Sequence, residues 1–305
     1  MKARRLLNTL LLLATTAILP AHAGPLVAGP LQLGGSLTLA DLVTAWVDGF
    51  RRYAPGISVA VADTGTEAGF AALVNGSEDA VLVALPASAG QRAAFEARFG
   101  YPPTFYPVAM DAVAVYVSDG NPLRRITLAQ LDAVYSDTLR CGARAGIETW
   151  GALGVGGSLA SRRIRPYGLT TNTGASRLFR KVALCGGDFG PGFQAVAGPD
   201  ALEAALTSQP DAIGFSSSAL RSAGLRALAV ARDAGATAAL PDAAAIRSQR
   251  YPMSRKLAIA VNLPPSGRLP AALAAFVRYA RSPAGQAVAA RAGYVPLAAA
   301  GKAAP

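Results

Sequence analysis

Apolar residues in this sequence repeatedly change their spacing, from every second position to every third or fourth. Leu39, Leu42, Val43, Trp46, Val47 and Phe50 fall at i, i+3, i+4, i+7, i+8 and i+11, the buried stripe of one helix. Before them Leu31–Leu33 runs into Gly34-Gly35, and after them 57–62 alternates in the manner of a strand. The switching continues. Strands are expected at 80–84, 112–117, 163–169, 212–215, 227–231 and 257–261. Helices are expected at 66–74, 91–98, 128–135, 174–184, 200–207, 271–279 and 283–291. Such alternation predicts an α/β architecture with mainly parallel sheets. With 52% hydrophobic and 15% charged residues, the chain can fill a large core and is not disordered.

The amino terminus reads differently. Lys2, Arg4 and Arg5 precede the apolar run 6–19, and Ala21-His22-Ala23 follows it, the pattern of a secretory signal peptide over 1–23 cleaved after Ala23. The run falls short of the ~20 residues a membrane-spanning helix needs. The mature protein is therefore expected to be exported, either periplasmic or secreted further. His22 is the sole histidine, so cleavage leaves none, which excludes a Ser-His-Asp triad, a Cys-His pair and imidazole-dependent zinc sites. Loss of the three leader cations reduces the formal charge of +11 by three. No run of five like charges and no basic-aromatic repeat occurs, so nucleic acid is not an expected partner. Cys141 and Cys185 are the two cysteines, and in an oxidising compartment the pair is expected to form one disulfide.

Three strand-to-helix junctions carry glycine and small hydroxyl residues: 35–38 (Gly-Ser-Leu-Thr), 64–66 (Thr-Gly-Thr) and 171–174 (Thr-Asn-Thr-Gly). Free N–H groups and the macrodipole make a helix start an anion site, and hydroxyls add uncharged donors. Taken one at a time, each junction is also an ordinary N-cap.

Their order and surroundings resemble the phosphate-binding periplasmic receptors of bacterial phosphate ABC importers. The likeness runs through 68–76, 111–117 with Asn121-Pro122-Leu123, Thr149-Trp150, 211–215, and the segment 251–257 leading to Val261-Asn262. This resemblance implies a type II periplasmic binding protein fold, two α/β lobes joined by two crossing strands with a ligand cleft between them. Residues 24–111 and 256–305 would form one lobe and 112–255 the other, with hinges at 106–111 and 251–255. It also implies a ligand set of Ser36, Thr38, the Leu39 backbone, Thr66, Thr173 and Gly174, with Asp79 accepting the phosphate proton. Arg255 is assigned to bracing the hinge.

Three positions depart from the family pattern. Leu169 stands where the family has arginine, Ala175 where it has threonine, and Glu67 where it has a loop glycine. Loss of a buried charge-assisted donor costs ~2–5 kcal/mol. Arg165 or Arg177 is the expected substitute for the missing arginine, and Thr64-x-x-Glu67 fits a capping box that would occupy the glutamate. The leading expectation is a monomeric extracytoplasmic solute-binding protein. It would capture phosphate or a related oxyanion without a cofactor and deliver it to an inner-membrane ABC permease. The alternatives are a homologue that has lost phosphate recognition and binds another ligand or a protein, and a phosphatase on the same cleft. The phosphatase would need a nucleophile with its base, or a metal cluster, and Asp63, Asp79 and Asp111 are scattered in sequence. A binding protein, not an enzyme, is expected.

Overall fold

The computed structural model describes residues 30–62 and 64–297; the leader expected at 1–23 and Asp63 lie outside them. The elements β1 (Leu31–Gly35), α1 (Leu37–Tyr53), β2 (Val59–Ala62), α2 (Gly65–Asn75), β3 (Ala80–Val83) and α3 (Ala89–Phe99) alternate as expected. The long strand β4 (Thr104–Ser118) follows. Then come β5 (Arg125–Thr127), α4 (Leu128–Tyr135), β6 (Arg165–Leu169), α5 (Gly174–Ala183), β7 (Gln194–Val196) and α6 (Pro199–Ser208). The chain continues through β8 (Ala212–Ser217), β9 (Leu225–Ala227), β10 (Ala229–Ala231) and α7 (Ala243–Arg247). It closes with β11 (Ser254–Val261), α8 (Ala271–Arg281) and α9 (Pro283–Arg291). Among the described residues no helix is long and apolar enough to cross a membrane.

The strands line up as β2-β1-β3-β11-β4-β8-β6-β7, with β9 also pairing β4, and β10 pairs β5 apart from them. Pairing is parallel on both flanks (β2-β1-β3 and β8-β6-β7), whereas β11 and β4 are antiparallel to their neighbours. The expectation of mainly parallel sheets thus holds on the flanks and gives way at the centre. The first half of β4 pairs with β11 and its second half with β8, so one strand serves both flanks. The single strand expected at 227–231 is two, because Leu228 donates to Val115 while its neighbours pair with different strands.

Each flank buries both faces, and strand alternation decides which residue goes where. In β3, Ala80 and Leu82 pack with the α1 stripe (Leu39, Leu42, Trp46, Phe50) and with Phe276 of α8. Val81 and Val83 turn the other way, against Phe70 of α2 and Phe95 of α3. On the other flank Ile213 and Phe215 of β8 meet Leu178 and Phe179 of α5, and Leu202 and Leu206 of α6 cover Ala212. Phe179 and Phe215 stack with centroids 4.0 Å apart. Gly168 permits this stack, since a Cβ there would lie 2.2 Å from the Phe215 ring.

Cys141 and Cys185 form the expected disulfide, tying the segment after α4 to the end of α5. Asp132 of α4 lies beneath it, fully buried. One carboxylate oxygen accepts the Cys141 N–H at 2.6 Å, and the other has no protein partner. Burial raises the Asp132 pKa, opposed by the Cys141 N–H, the Ser136 side chain and the Arg140 charge. The folded state therefore holds this proton more tightly than the unfolded chain, and stability is lost as pH rises from about 4 through the raised value. Asp132→Asn removes that loss. Its stability relative to the parent, measured by urea denaturation at stepped pH between 4 and 7, is expected to improve as pH rises above about 4 and to level off once the buried carboxyl has ionised. A flat difference across that range would show that Asp132 does not titrate in the fold.

Candidate functional site: the cleft at the helix starts

The chain leaves β1 at Gly35 and turns directly into α1, and it leaves β6 at Leu169 and enters α5 five residues later. Both helices therefore begin above the carboxyl ends of parallel strands, where α/β sheets bind their ligands. The two starts meet. Thr38 and Gly174 pack so closely that a Cβ on Gly174 would come within 2.2 Å of the Thr38 hydroxyl oxygen. Beside this contact is a cavity of about 320 Å³, lined by Thr38, Asp41, Asp111, Leu169, Gly174, Ala175, Ser217, Arg255 and Tyr294 among others.

Arg255 of β11 and Asp111 of β4 are direct cross-strand partners in the antiparallel register. Their side chains are 5% and 8% exposed, and Arg255 Nε (2.9 Å) and Nη2 (2.5 Å) both donate to Asp111 Oδ2. Asp111 Oδ1 accepts the Ala112 N–H at 2.7 Å. The guanidinium continues across the cleft, Nη1 donating to the Gly174 carbonyl at 3.1 Å and Nη2 approaching Thr38 Oγ1 at 3.4 Å. One of its five N–H groups is left without a protein partner among the described residues. Tyr294 donates to the Thr38 carbonyl at 2.7 Å and fixes the segment after α9 against the α1 start. Burial, with the nearby Asp111 and Asp41 charges, raises the Tyr294 pKa, partly opposed by Arg255, so the phenol stays protonated.

The residues singled out from sequence separate into three groups. Thr38, Thr173 and Gly174 line the cavity. Ser36 and Leu39 are buried next to it, but the Leu39 N–H already donates to the Ser36 carbonyl. Thr173 is spent on its own helix, accepting from Ser176 N at 3.2 Å and donating to Ser176 Oγ at 3.1 Å. Thr66 sits in the first turn of α2, outside the cavity lining. Asp79 is not brought to the cleft. It precedes β3 at the amino end, where its carboxylate accepts the Gln32 N–H at 2.8 Å. Gln32 is four residues below Ser36 along β1, or roughly 13 Å at ~3.3 Å per residue.

Three further expectations are corrected. The Thr64–Glu67 capping box does not form: Thr64 makes no cap bond and instead accepts the Gly35 N–H at 3.2 Å, leaving Glu67 exposed. Arg165 lies at the amino end of β6 near Asp211, and Arg177 donates to the Asn172 carbonyl, so neither replaces the missing arginine. Arg255 does brace the crossing strands, but it also faces the cleft. Its partner Asp111 was named only among the scattered aspartates a phosphatase would need, and Asp41 and Tyr294 were not singled out. The run 251–257 carried the one hint, a Ser-Arg-Lys triplet opening an otherwise apolar return strand.

A crossing pair of central strands, two flanking α/β units and a cleft at their helix starts define a type II periplasmic binding protein fold. A family model described as a PBP superfamily domain matches residues 20–284. The chain is 32% identical to the phosphate-binding protein PstS of Pseudomonas aeruginosa over 271 residues, 89% of this chain and 84% of that one. It belongs to this family of phosphate-binding proteins, whose members are receptors and not enzymes. Solved structures agree in fold. An ABC-type phosphate transport receptor from Vibrio cholerae superposes with a TM-score of 0.69 at 19% identity, covering 86% of this chain and 98% of the receptor. PstS from Borrelia burgdorferi gives 0.69 at 16% identity, covering 89% and 100%.

Proposed function

We propose that this protein is a periplasmic receptor that captures phosphate in the cleft between the α1 and α5 starts and hands it to an ABC permease. Residues 24–111 and 256–305 act as one lobe and 112–255 as the other, with β4 and β11 crossing between them. The supporting observation is the convergence of two helix starts on a buried guanidinium that keeps one N–H free. Backbone donors at the helix starts and that N–H supply hydrogen bonds to an oxyanion without crowding the cleft with cations.

The lining charges indicate how the anion is chosen. Asp41, Asp111 and Arg255 sum to a net negative cleft, which favours an anion that still carries a proton. Asp111 is occupied by Arg255, so Asp41 is the carboxylate placed to accept a phosphate hydroxyl. Sulfate has no proton to give at neutral pH, so it meets the Asp41 carboxylate with repulsion where phosphate offers a hydrogen bond. Calorimetry on ligand-stripped protein is expected to show phosphate and arsenate binding and little heat with sulfate. Asp41→Asn is expected to narrow the phosphate-over-sulfate preference at least about tenfold, ~1.4 kcal/mol. Absence of heat with phosphate at millimolar concentration would remove the proposal. An Asp41→Asn protein with unchanged selectivity would remove the role given to Asp41.

A second reading has its own support. Leu169 and Ala175 line the cavity, and the Thr173 hydroxyl is committed internally. On that reading phosphate recognition is lost, and thermal stability does not rise with phosphate concentration.

A further inference from the structure

A second and larger cavity, about 480 Å³, shares only Arg255 with the cleft described above. It opens between the end of β3, the start of α3, the crossing strands and α5. Its walls are apolar, formed chiefly by Leu85, Phe105, Leu178 and Val182. Phe105 stands 36% exposed there, one of the few large apolar side chains left in solvent among the described residues. Around these walls are three cations, Arg92 of α3, Lys181 of α5 and Lys256 of β11, and no lining residue is acidic. None of the three forms an ion pair among the described residues. Gln249, which also lines the cavity, holds a left-handed φ of 57°, uncommon for a residue other than glycine.

We propose that this cavity is a separate binding site for a small amphipathic organic anion: an aryl or alkyl body ending in a carboxylate, phosphonate or sulfonate. The charged groups lie around apolar walls, so a bare inorganic ion would leave Leu85, Phe105, Leu178 and Val182 uncovered. The ring of unpaired cations gives a neutral hydrophobe no advantage. A ligand with both parts satisfies both surfaces, and the volume lies within the range of small-molecule pockets. Arg92 belongs to α3 on one flank and Lys181 to α5 on the other, so an anionic end that engages both would tie the two flanks together. The assignment does not depend on phosphate being the cargo of the other cleft.

Naphthalene-2-sulfonate is a suitable probe, titrated calorimetrically into the full mature protein with naphthalene-2-methanol as its neutral counterpart. The sulfonate is expected to bind saturably at one site, and the alcohol at least tenfold more weakly. Val182→Trp, which fills the cavity from a half-buried position, is expected to abolish binding. The exposed pair Lys181→Glu/Lys256→Glu is expected to weaken it at least tenfold. Phosphate titrated into Val182→Trp is expected to behave as with the parent protein, so failure of the phosphate reading would appear separately. The proposal is overturned by an unsaturable sulfonate titration, by equal binding of the alcohol, or by sulfonate affinity that neither variant changes.

Discussion

Arg255→Met is expected to destabilise the protein by about 3–5 kcal/mol and to eliminate phosphate binding. The variant leaves the Asp111 carboxylate buried between two strands with its cation gone. Breaking a buried pair costs more than the pair itself contributes, because the surviving charge has lost its solvent and its partner together. The paired replacement Asp111→Leu with Arg255→Met therefore separates the two roles of the guanidinium. It is expected to regain most of the lost stability in urea denaturation, since neither charge remains to be desolvated. It should still show no heat with phosphate, because the guanidinium that lines the cleft is absent. A single variant as stable as the parent to within about 1 kcal/mol would mean that Asp111 finds other compensation. Phosphate binding retained by the double variant would place the anion away from Arg255.

Gly174→Ala should hold the cleft open. The backbone at Gly174 is not left-handed, so alanine brings no torsional strain of its own. The added methyl would lie 2.2 Å from Thr38 Oγ1, and closure of α5 onto α1 is blocked by that one atom. Overpacking of this kind costs about 1–3 kcal/mol. Charged against the closed state alone, it weakens ligand binding about five- to 150-fold with little effect on the unliganded fold. Thr38→Ala deletes the obstructing oxygen, leaving the next contact at 3.5 Å, so Gly174→Ala with Thr38→Ala is expected to close again. The radius of gyration by X-ray scattering, with and without phosphate, reads this directly. If Gly174→Ala contracts with ligand as the parent does, the helix starts do not have to touch for binding.

What could be read from the sequence was what repeats locally. The α1 stripe, the buried β3 and the capped α4 follow from residue spacing; the stripe lies within α1, and β3 and α4 emerged within a residue of their expected bounds. The first half of β4 was harder to see as strand because Pro107 interrupts it. In the fold Pro107 lies opposite Ala258, where the register of β11 shifts, a place that tolerates a residue without an N–H. The site was less legible than the fold, for a geometric reason. Arg255 and Asp111 are 144 residues apart and meet only because β11 returns antiparallel to β4. Asp79 was favoured by its distance from Pro86 in the sequence, yet it lies on the amino side of β3, and a strand delivers ligand contacts only from its other end. Hydroxyl residues at the helix starts were easy to find, but their hydrogen-bond partners are not written in the sequence. Thr173 turned inward to Ser176, and Thr64 to Gly35.

The Cys141–Cys185 bond bears on how firmly the far end of α5 is anchored. Cys185 lies two residues beyond α5, the helix whose opposite end meets Thr38. The tip of that helix is held without it, by Leu178 and Phe179 in the core and by the Arg255 bond to the Gly174 carbonyl. Reduction is therefore expected to cost the fold about 2–5 kcal/mol by releasing a loop of 44 residues, while the helix tip keeps its aim.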